Sequence, residues 1–320
     1  MSRRLVTALA AAFICSAVLG AQQATPPAVP WVPPDTLRGT GPWKAIMEMD
    51  ASLPTHTIYR PADLSALGST KLPIIAWGNG ACMNAGNRFR HFLTEIASHG
   101  YLAIAIGPVG TRDMEDPPAP PPPPQPGQQP RPMSPPATKS SQLIDAVDWA
   151  IAENGRPGSR YYGKLDTAKV VIMGQSCGGV QAIAASVDPR VILTVGWNTG
   201  LFPTPQAALE DVPKATLDKL HAPIAYFTGD KASDVAYVNA ADDYARLAAA
   251  ARVPSMHAWK DGMPHNGTYR EELGGEMGRI AVQFLAWRVK GDAKAAAMFK
   301  GPNCGLCTSP GWHVGKTLVD

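Results

Sequence analysis

A serine placed between glycines is the residue of this sequence whose surroundings most clearly suggest chemistry. Ser176 lies two residues after Gly174 and two before Gly178. A sharp turn between a strand and a helix presents such a serine as an exposed nucleophile, and glycines on either side let strand and helix approach closely. The pattern therefore predicts a nucleophilic Ser176, and an ordinary Gly/Ser turn is the alternative.

A serine nucleophile needs a general base, and the base needs an acid that orients it. His265 follows a strand-like segment near the end of the chain, and Asp234 follows the preceding one. The chain order Ser, Asp, His is the one expected for a fold with this kind of turn. We expect His265 as base and Asp234 as acid. Asp230 is a competing acid, or a turn residue, and an exposed loop histidine is the alternative for His265.

The elements that would position these residues alternate along the chain. Short apolar runs predict buried strands at 73–77, 101–106, 169–173, 191–195, 223–227 and 255–259, the last of these being the last strand of the chain. Helical spacing covers 89–98, 143–154, 180–185, 240–250 and 276–289. Segments 43–49 and 55–59 are expected as antiparallel edge strands. This alternation predicts one α/β domain with a doubly wound, mainly parallel sheet, whose carboxyl strand ends gather the site.

From about residue 40 to 290 the chain resembles the α/β-hydrolase superfamily, and in particular secreted dienelactone-hydrolase-like and bacterial cutinase-like esterases. The turn at 174–179 and the strand entry at 97–101 carry this resemblance. It implies an α/β-hydrolase fold with Ser176 as nucleophile, His265 as base and Asp234 as orienting acid. In these esterases the acid usually lies about three residues after a glycine, here Gly229, and Asp230 and Asp234 lie on either side of that position. The Val-Ala pair that follows Asp234 favours Asp234.

The resemblance also implies two backbone donors for the oxyanion of an acyl-transfer reaction. The Cys177 amide supplies one, and the amide of Cys82 or Ala81 supplies the other. Trp77 and Trp197 stand at the ends of predicted strands, where they would line a substrate pocket. Burial of both rings in the core is the alternative.

Five cysteines occur in the chain, and Cys15 lies in the N-terminal apolar run. The remaining four allow three pairings. A local Cys304–Cys307 disulfide is favoured over half of a zinc site, because no second cysteine pair or nearby histidine pair completes one. By the resemblance, Cys82 and Cys177 both border the oxyanion site, with α-carbons at a separation near the ~4.4–6.8 Å that a disulfide requires. A Cys82–Cys177 bridge is therefore expected, with two buried thiols as the alternative.

The N-terminal segment has the pattern of a targeting signal. Residues 1–21 combine a basic start, an apolar stretch and small residues at a cleavage point, so a secreted or periplasmic protein is expected. The signal is followed by a Pro-rich leader (22–42) and by a single domain (43–320). Within this domain we expect an exposed polyproline loop (117–136) and a C-terminal extension (291–320). A net charge of +3 without a basic block predicts no nucleic-acid partner. No stable membrane span is expected.

The resemblance implies a serine esterase that cleaves carboxylic esters, small or polymeric, through an acyl-enzyme and without cofactor or metal. A serine peptidase of the same fold is the first alternative, although the chain has no room for a propeller-sized N-terminal domain. A non-catalytic binding protein of the same fold is the second. The sequence leaves the acyl-chain length and the oligomeric state open.

Overall fold

A computed structural model describes residues 38–110 and 135–319. The predicted signal peptide (1–21) lies outside these residues, as do the leader up to residue 37 and the polyproline loop up to residue 134. The strands are β1 (Ala45–Glu48), β2 (His56–Pro61), β3 (Leu72–Gly78), β4 (Leu102–Ile106), β5 (Leu165–Gln175), β6 (Val191–Trp197), β7 (Ile224–Gly229), β8 (Ser255–Lys260) and β9 (Trp312–Thr317). The α-helices are α1 (Arg90–Ser98), α2 (Ser141–Gly155), α3 (Cys177–Ala185), α4 (Tyr237–Ala250), α5 (Gly275–Lys290) and α6 (Ala293–Ala296).

The nine strands form one sheet in the order β1-β2-β4-β3-β5-β6-β7-β8-β9. The six strands β4, β3, β5, β6, β7 and β8 are parallel to one another. At one edge β1 and β2 run antiparallel, and at the other edge β9 runs antiparallel to β8. The α/β class with a mainly parallel sheet, predicted from the alternation of strands and helices, is confirmed.

Helices cover both faces because the central strands are apolar on both faces. Successive side chains of a strand point to opposite sides, so Ile75 and Trp77 of β3 enter one core cluster while Ile74 and Ala76 enter another. Helices α1 and α5 complete the first cluster. Helices α2 and α3 complete the second, and α3 packs with α4 in a third. The central strands are therefore buried between two helical layers.

Two expectations about strand position are wrong. The strand predicted at 55–59 is not an edge strand, since β2 lies between β1 and β4 and is buried along its length. The strand predicted at 255–259 is not the last one, because β9 follows it in the chain and pairs with β8 from Ser255 opposite Thr317 to Lys260 opposite Trp312. Part of the predicted C-terminal extension thus completes the sheet edge.

Strands β3, β5, β6, β7 and β8 all end at the same edge of the sheet because they are parallel. The segments that leave these ends carry the residues singled out by sequence, in agreement with the general location of sites in open α/β sheets. In the part of the chain that the structure describes, no helix is both long enough and apolar enough to cross a bilayer.

Candidate active site

Ser176 occupies the turn between β5 and α3. Its backbone lies at φ 53° and ψ −121°, a region that non-glycine residues rarely adopt and that is retained where surrounding structure enforces it. Close packing around the turn holds Ser176 in this backbone conformation. A Cβ added to Gly178 would lie 2.1 Å from the carbonyl carbon of Gly78, so only glycine lets the start of α3 cross the end of β3. The serine hydroxyl is thereby held at a helix N-terminus, where developing negative charge is favoured.

His265 lies in the loop after β8 and faces Ser176 across the edge of the sheet. Its Nε2 is 2.9 Å from Ser176 Oγ, and its Nδ1 is 2.7 Å from Asp234 Oδ1. Gln175, the last residue of β5, donates from Nε2 to the His265 carbonyl at 3.0 Å. The loop that carries the imidazole is therefore hydrogen-bonded to the strand that ends next to Ser176.

The Asp234 carboxylate accepts four hydrogen bonds, two on each oxygen, and is 2% exposed. The donors are His265 Nδ1, the amides of Ala236 and Gly229 at 2.9 Å, and Asn198 Nδ2 at 2.7 Å. Burial acts to raise the pKa of this carboxyl, but the hydrogen bonds from His265, Ala236, Asn198 and Gly229 outweigh it and lower the pKa below its ordinary value. The group is therefore held as a carboxylate that fixes which His265 nitrogen carries the proton.

Asp230, the competing acid, performs a different task in the structure. Its carboxylate accepts from the Ser233 amide at 2.9 Å and from the Ser233 hydroxyl. These bonds close the turn that leads from β7 to Asp234, and within the described residues none of them reaches His265. The structure thus places Asp234, and not Asp230, against the imidazole.

Two residues that sequence reasoning did not single out complete the network. Asn198, the first residue after β6, donates to Asp234 and accepts at Oδ1 from the Tyr269 hydroxyl. Burial, and then the charge of Asp234, raise the pKa of Tyr269 well above its ordinary value, so the hydroxyl stays a donor. The polar position immediately after a parallel strand was the available signal for Asn198.

The predicted oxyanion side of the site joins the loop after β3 to the start of α3. A Cys82–Cys177 disulfide connects the two segments, with α-carbons 5.2 Å apart, and a second disulfide joins Cys304 to Cys307. Both predicted disulfides are present. The Cys82 amide donates to the Asn79 carbonyl at 3.2 Å, which favours Ala81 over Cys82 as the second oxyanion donor.

Trp77 and Trp197, the predicted pocket residues, are fully buried. Both rings pack against Phe92, with centroids 5.2 and 5.3 Å away, and Trp197 also stacks on Phe227 at 4.7 Å. Neither ring lines the cavity beside Ser176. The structure therefore places both tryptophans in the hydrophobic core that underlies the site.

Within residues 38–110 and 135–319, no three His, Cys, Asp or Glu side chains come together as a metal site. The polar groups around Ser176 instead form one connected set of hydrogen bonds that runs from Tyr269 to the serine hydroxyl. In comparisons with known proteins, no family model and no curated protein matches this chain.

Proposed function

We propose that the protein is a serine hydrolase of the α/β-hydrolase fold that cleaves carboxylic esters through an acyl-enzyme. The observation that carries the proposal is the unbroken line from Ser176 Oγ through His265 to Asp234, with links of 2.9 and 2.7 Å. This is the geometry that lets an imidazole take a proton from a hydroxyl while a buried carboxylate stabilises the resulting imidazolium.

The reaction follows from this arrangement. Ser176 Oγ attacks the ester carbonyl as its proton passes to His265 Nε2. The amides of Cys177 and Ala81 donate to the oxyanion of the tetrahedral intermediate. The bond to the alcohol then breaks, and His265 returns the proton to the departing alcohol oxygen. Water attacks the acyl-enzyme by the same steps, with His265 as base, and releases the acid and free Ser176.

A substrate panel tests the reaction class. Purified protein is assayed with p-nitrophenyl esters and with peptide anilides, beside the Ser176→Ala variant as a control. We expect ester hydrolysis that falls by about 10⁴–10⁶ in kcat in the variant, because the nucleophile is lost. Faster cleavage of anilides would favour the peptidase, and no cleavage of either class would favour a binding protein.

The proposed setting is a secreted or periplasmic one. Two disulfides are consistent with an oxidising compartment, since thiols in reducing compartments stay unpaired. Small or polymeric esters are the proposed substrates.

A further inference from the structure

A loop between β6 and β7 is attached at both ends to one buried carboxylate. This loop, Leu201–Pro213, is called the wall loop. The Leu201 amide donates to Asp243 Oδ2 at 2.7 Å, and Lys214, just beyond the other end, donates from Nζ to Asp243 Oδ1 at 2.5 Å. Asp243 belongs to α4 and is 0% exposed. One side chain therefore fixes both ends of the wall loop.

Two further contacts hold the wall loop against the protein. A Cβ added to Gly200, just before it, would lie 2.4 Å from the Ala240 amide nitrogen, so the loop leaves β6 in direct contact with the backbone of α4. Near its other end, Glu210 accepts from the Ser140 amide and hydroxyl, each at 2.7 Å, at the start of α2. The wall loop is thus bound to helices on both of its sides.

The wall loop forms one side of the cavity next to the proposed nucleophile. Phe202 and Leu209 line this cavity from the loop, and Val235 and Ala236 line it from the segment that leads into α4. Its volume is about 80 Å³. Since a 150 Å³ apolar cavity holds benzene, a space of this size holds roughly three carbon atoms. The cavity suits a small apolar group.

The buried ion pair is difficult to explain as a source of stability. Burial raises the pKa of Asp243 to about 6, although Lys214 acts to lower it. Buried ion pairs often contribute no more to stability than well-packed apolar residues of the same volume, and their best-attested use is to fix a unique arrangement. Here the arrangement that Asp243 fixes is the position of the wall loop.

We propose that Asp243 is a positioning residue that holds the wall loop as one side of the acyl site, and so restricts the enzyme to esters of small acyl groups. The inference rests on the proposed function. The acyl group is the occupant because it stays bonded to Ser176 after the alcohol has left past His265. The cavity lies directly against Ser176, to which the remaining group stays bonded, and its volume of about 80 Å³ limits the size of that group.

The test compares Asp243→Asn with Asp242→Asn. Asp242 is the neighbouring residue on α4 and contacts Lys214 at 2.7 Å, but its side chain is 41% exposed. Both variants and the wild type are assayed for kcat and KM with p-nitrophenyl acetate, butyrate and octanoate. In Asp243→Asn we expect the octanoate-to-acetate ratio of kcat/KM to rise about tenfold, mainly through KM, because the wall is no longer fixed. In Asp242→Asn the ratio stays within about twofold.

Leu209→Ala is the second variant, for the case in which Asp243→Asn does not fold. It shortens the wall itself and should raise the same ratio in the same direction. Equal losses of kcat/KM on all three esters would overturn the inference. An unchanged octanoate-to-acetate ratio in both Asp243→Asn and Leu209→Ala would do the same. Acetate esters of alcohols of increasing length are assayed as well, and a shift confined to that series would also overturn the inference. If acetate hydrolysis persists in these proteins, the proposed function survives such an outcome, whereas wild-type protein inert towards every ester would remove the proposed function itself.

Discussion

Asp234 is surrounded by hydrogen-bond donors, and this makes the effect of an amide in its place predictable. An asparagine offers one acceptor oxygen, so its NH₂ group would face two of the four donors. We expect Asp234→Asn to lower kcat by roughly 10⁴-fold, because His265 loses the carboxylate that sets its tautomer. Steady-state kinetics with a p-nitrophenyl ester measures the effect.

Asp230→Asn is the matched control, since Asp230 lies on the same loop and its carboxylate accepts from the Ser233 amide and hydroxyl rather than from His265. A change of about twofold or less in kcat is expected for it. The opposite ranking of the two variants would move the orienting acid to Asp230.

Tyr269 acts on the site through Asn198. Removing the hydroxyl in Tyr269→Phe leaves the buried Asn198 Oδ1 without its donor, which should cost ~1–3 kcal/mol in the free energy of unfolding. Tyr101→Phe is the matched control, because the Tyr101 hydroxyl is also buried but has no hydrogen-bond partner in the described part of the chain. Denaturant unfolding of both variants gives the comparison. Equal losses would show that the Tyr269–Asn198 bond contributes nothing specific.

The residues of the site differ in how far the sequence alone could place them. The position of Ser176 in a strand–helix turn follows from local features, namely the flanking glycines and the strand–helix boundary. These features are visible in the sequence. The contact between Asn198 and Tyr269 depends on the neighbouring positions of two loops after β6 and β8, which no local pattern encodes. The burial of Trp197 could not be predicted for the same reason, because it depends on aromatic rings from distant parts of the chain that pack against it.

Among the elements, the loop after β3 and the start of α3 are joined by the Cys82–Cys177 disulfide. Its two cysteines are 95 residues apart in sequence. The chain-entropy model gives such a bridge roughly 4–5 kcal/mol of stabilisation. The Cys82→Ala/Cys177→Ala double variant should therefore lose stability of this order, and also kcat, because the two proposed oxyanion donors lie on the segments that the bridge joins. Denaturant unfolding and ester kinetics measure the two effects.

The matched control removes the other disulfide. Cys304 and Cys307 are 3 residues apart, so the same model gives that bridge only about 2 kcal/mol. The corresponding double variant should lose less stability and keep its kcat, since the bridge lies away from Ser176. Equal kcat in both double variants would show that the Cys82–Cys177 bridge has no part in the site.

The elements also show why the central strands were predictable and β9 was not. The parallel strands are buried on both faces, so they appear in the sequence as nearly continuous apolar runs. Strand β9 is an antiparallel edge strand with a mostly half-exposed, polar sequence, and it lacks that pattern. Its position is set by pairing with β8, a contact between distant parts of the chain.

For the whole molecule, β9 determines how the sheet ends. It covers β8 along all six residues, and Trp312 Nε1 donates to Glu276 on α5 at 2.9 Å. A chain stopped after residue 310 would expose β8 as an open edge with unpaired backbone groups, which favours pairing between molecules. We expect this truncation to aggregate, as measured by size-exclusion chromatography with light scattering. A monodisperse and active truncated protein would show that the edge needs no cover.

The proposed chemistry of the whole molecule depends on Ser176 being an activated nucleophile. Labelling by a fluorophosphonate, read by intact mass and peptide mapping, tests it most directly, because the reagent bonds to a serine oxygen and releases fluoride only where a base takes the serine proton. We expect one phosphonyl group per chain, located on Ser176, and none in Ser176→Ala or on heat-unfolded protein. An unlabelled native protein, or a label on another serine, would contradict it.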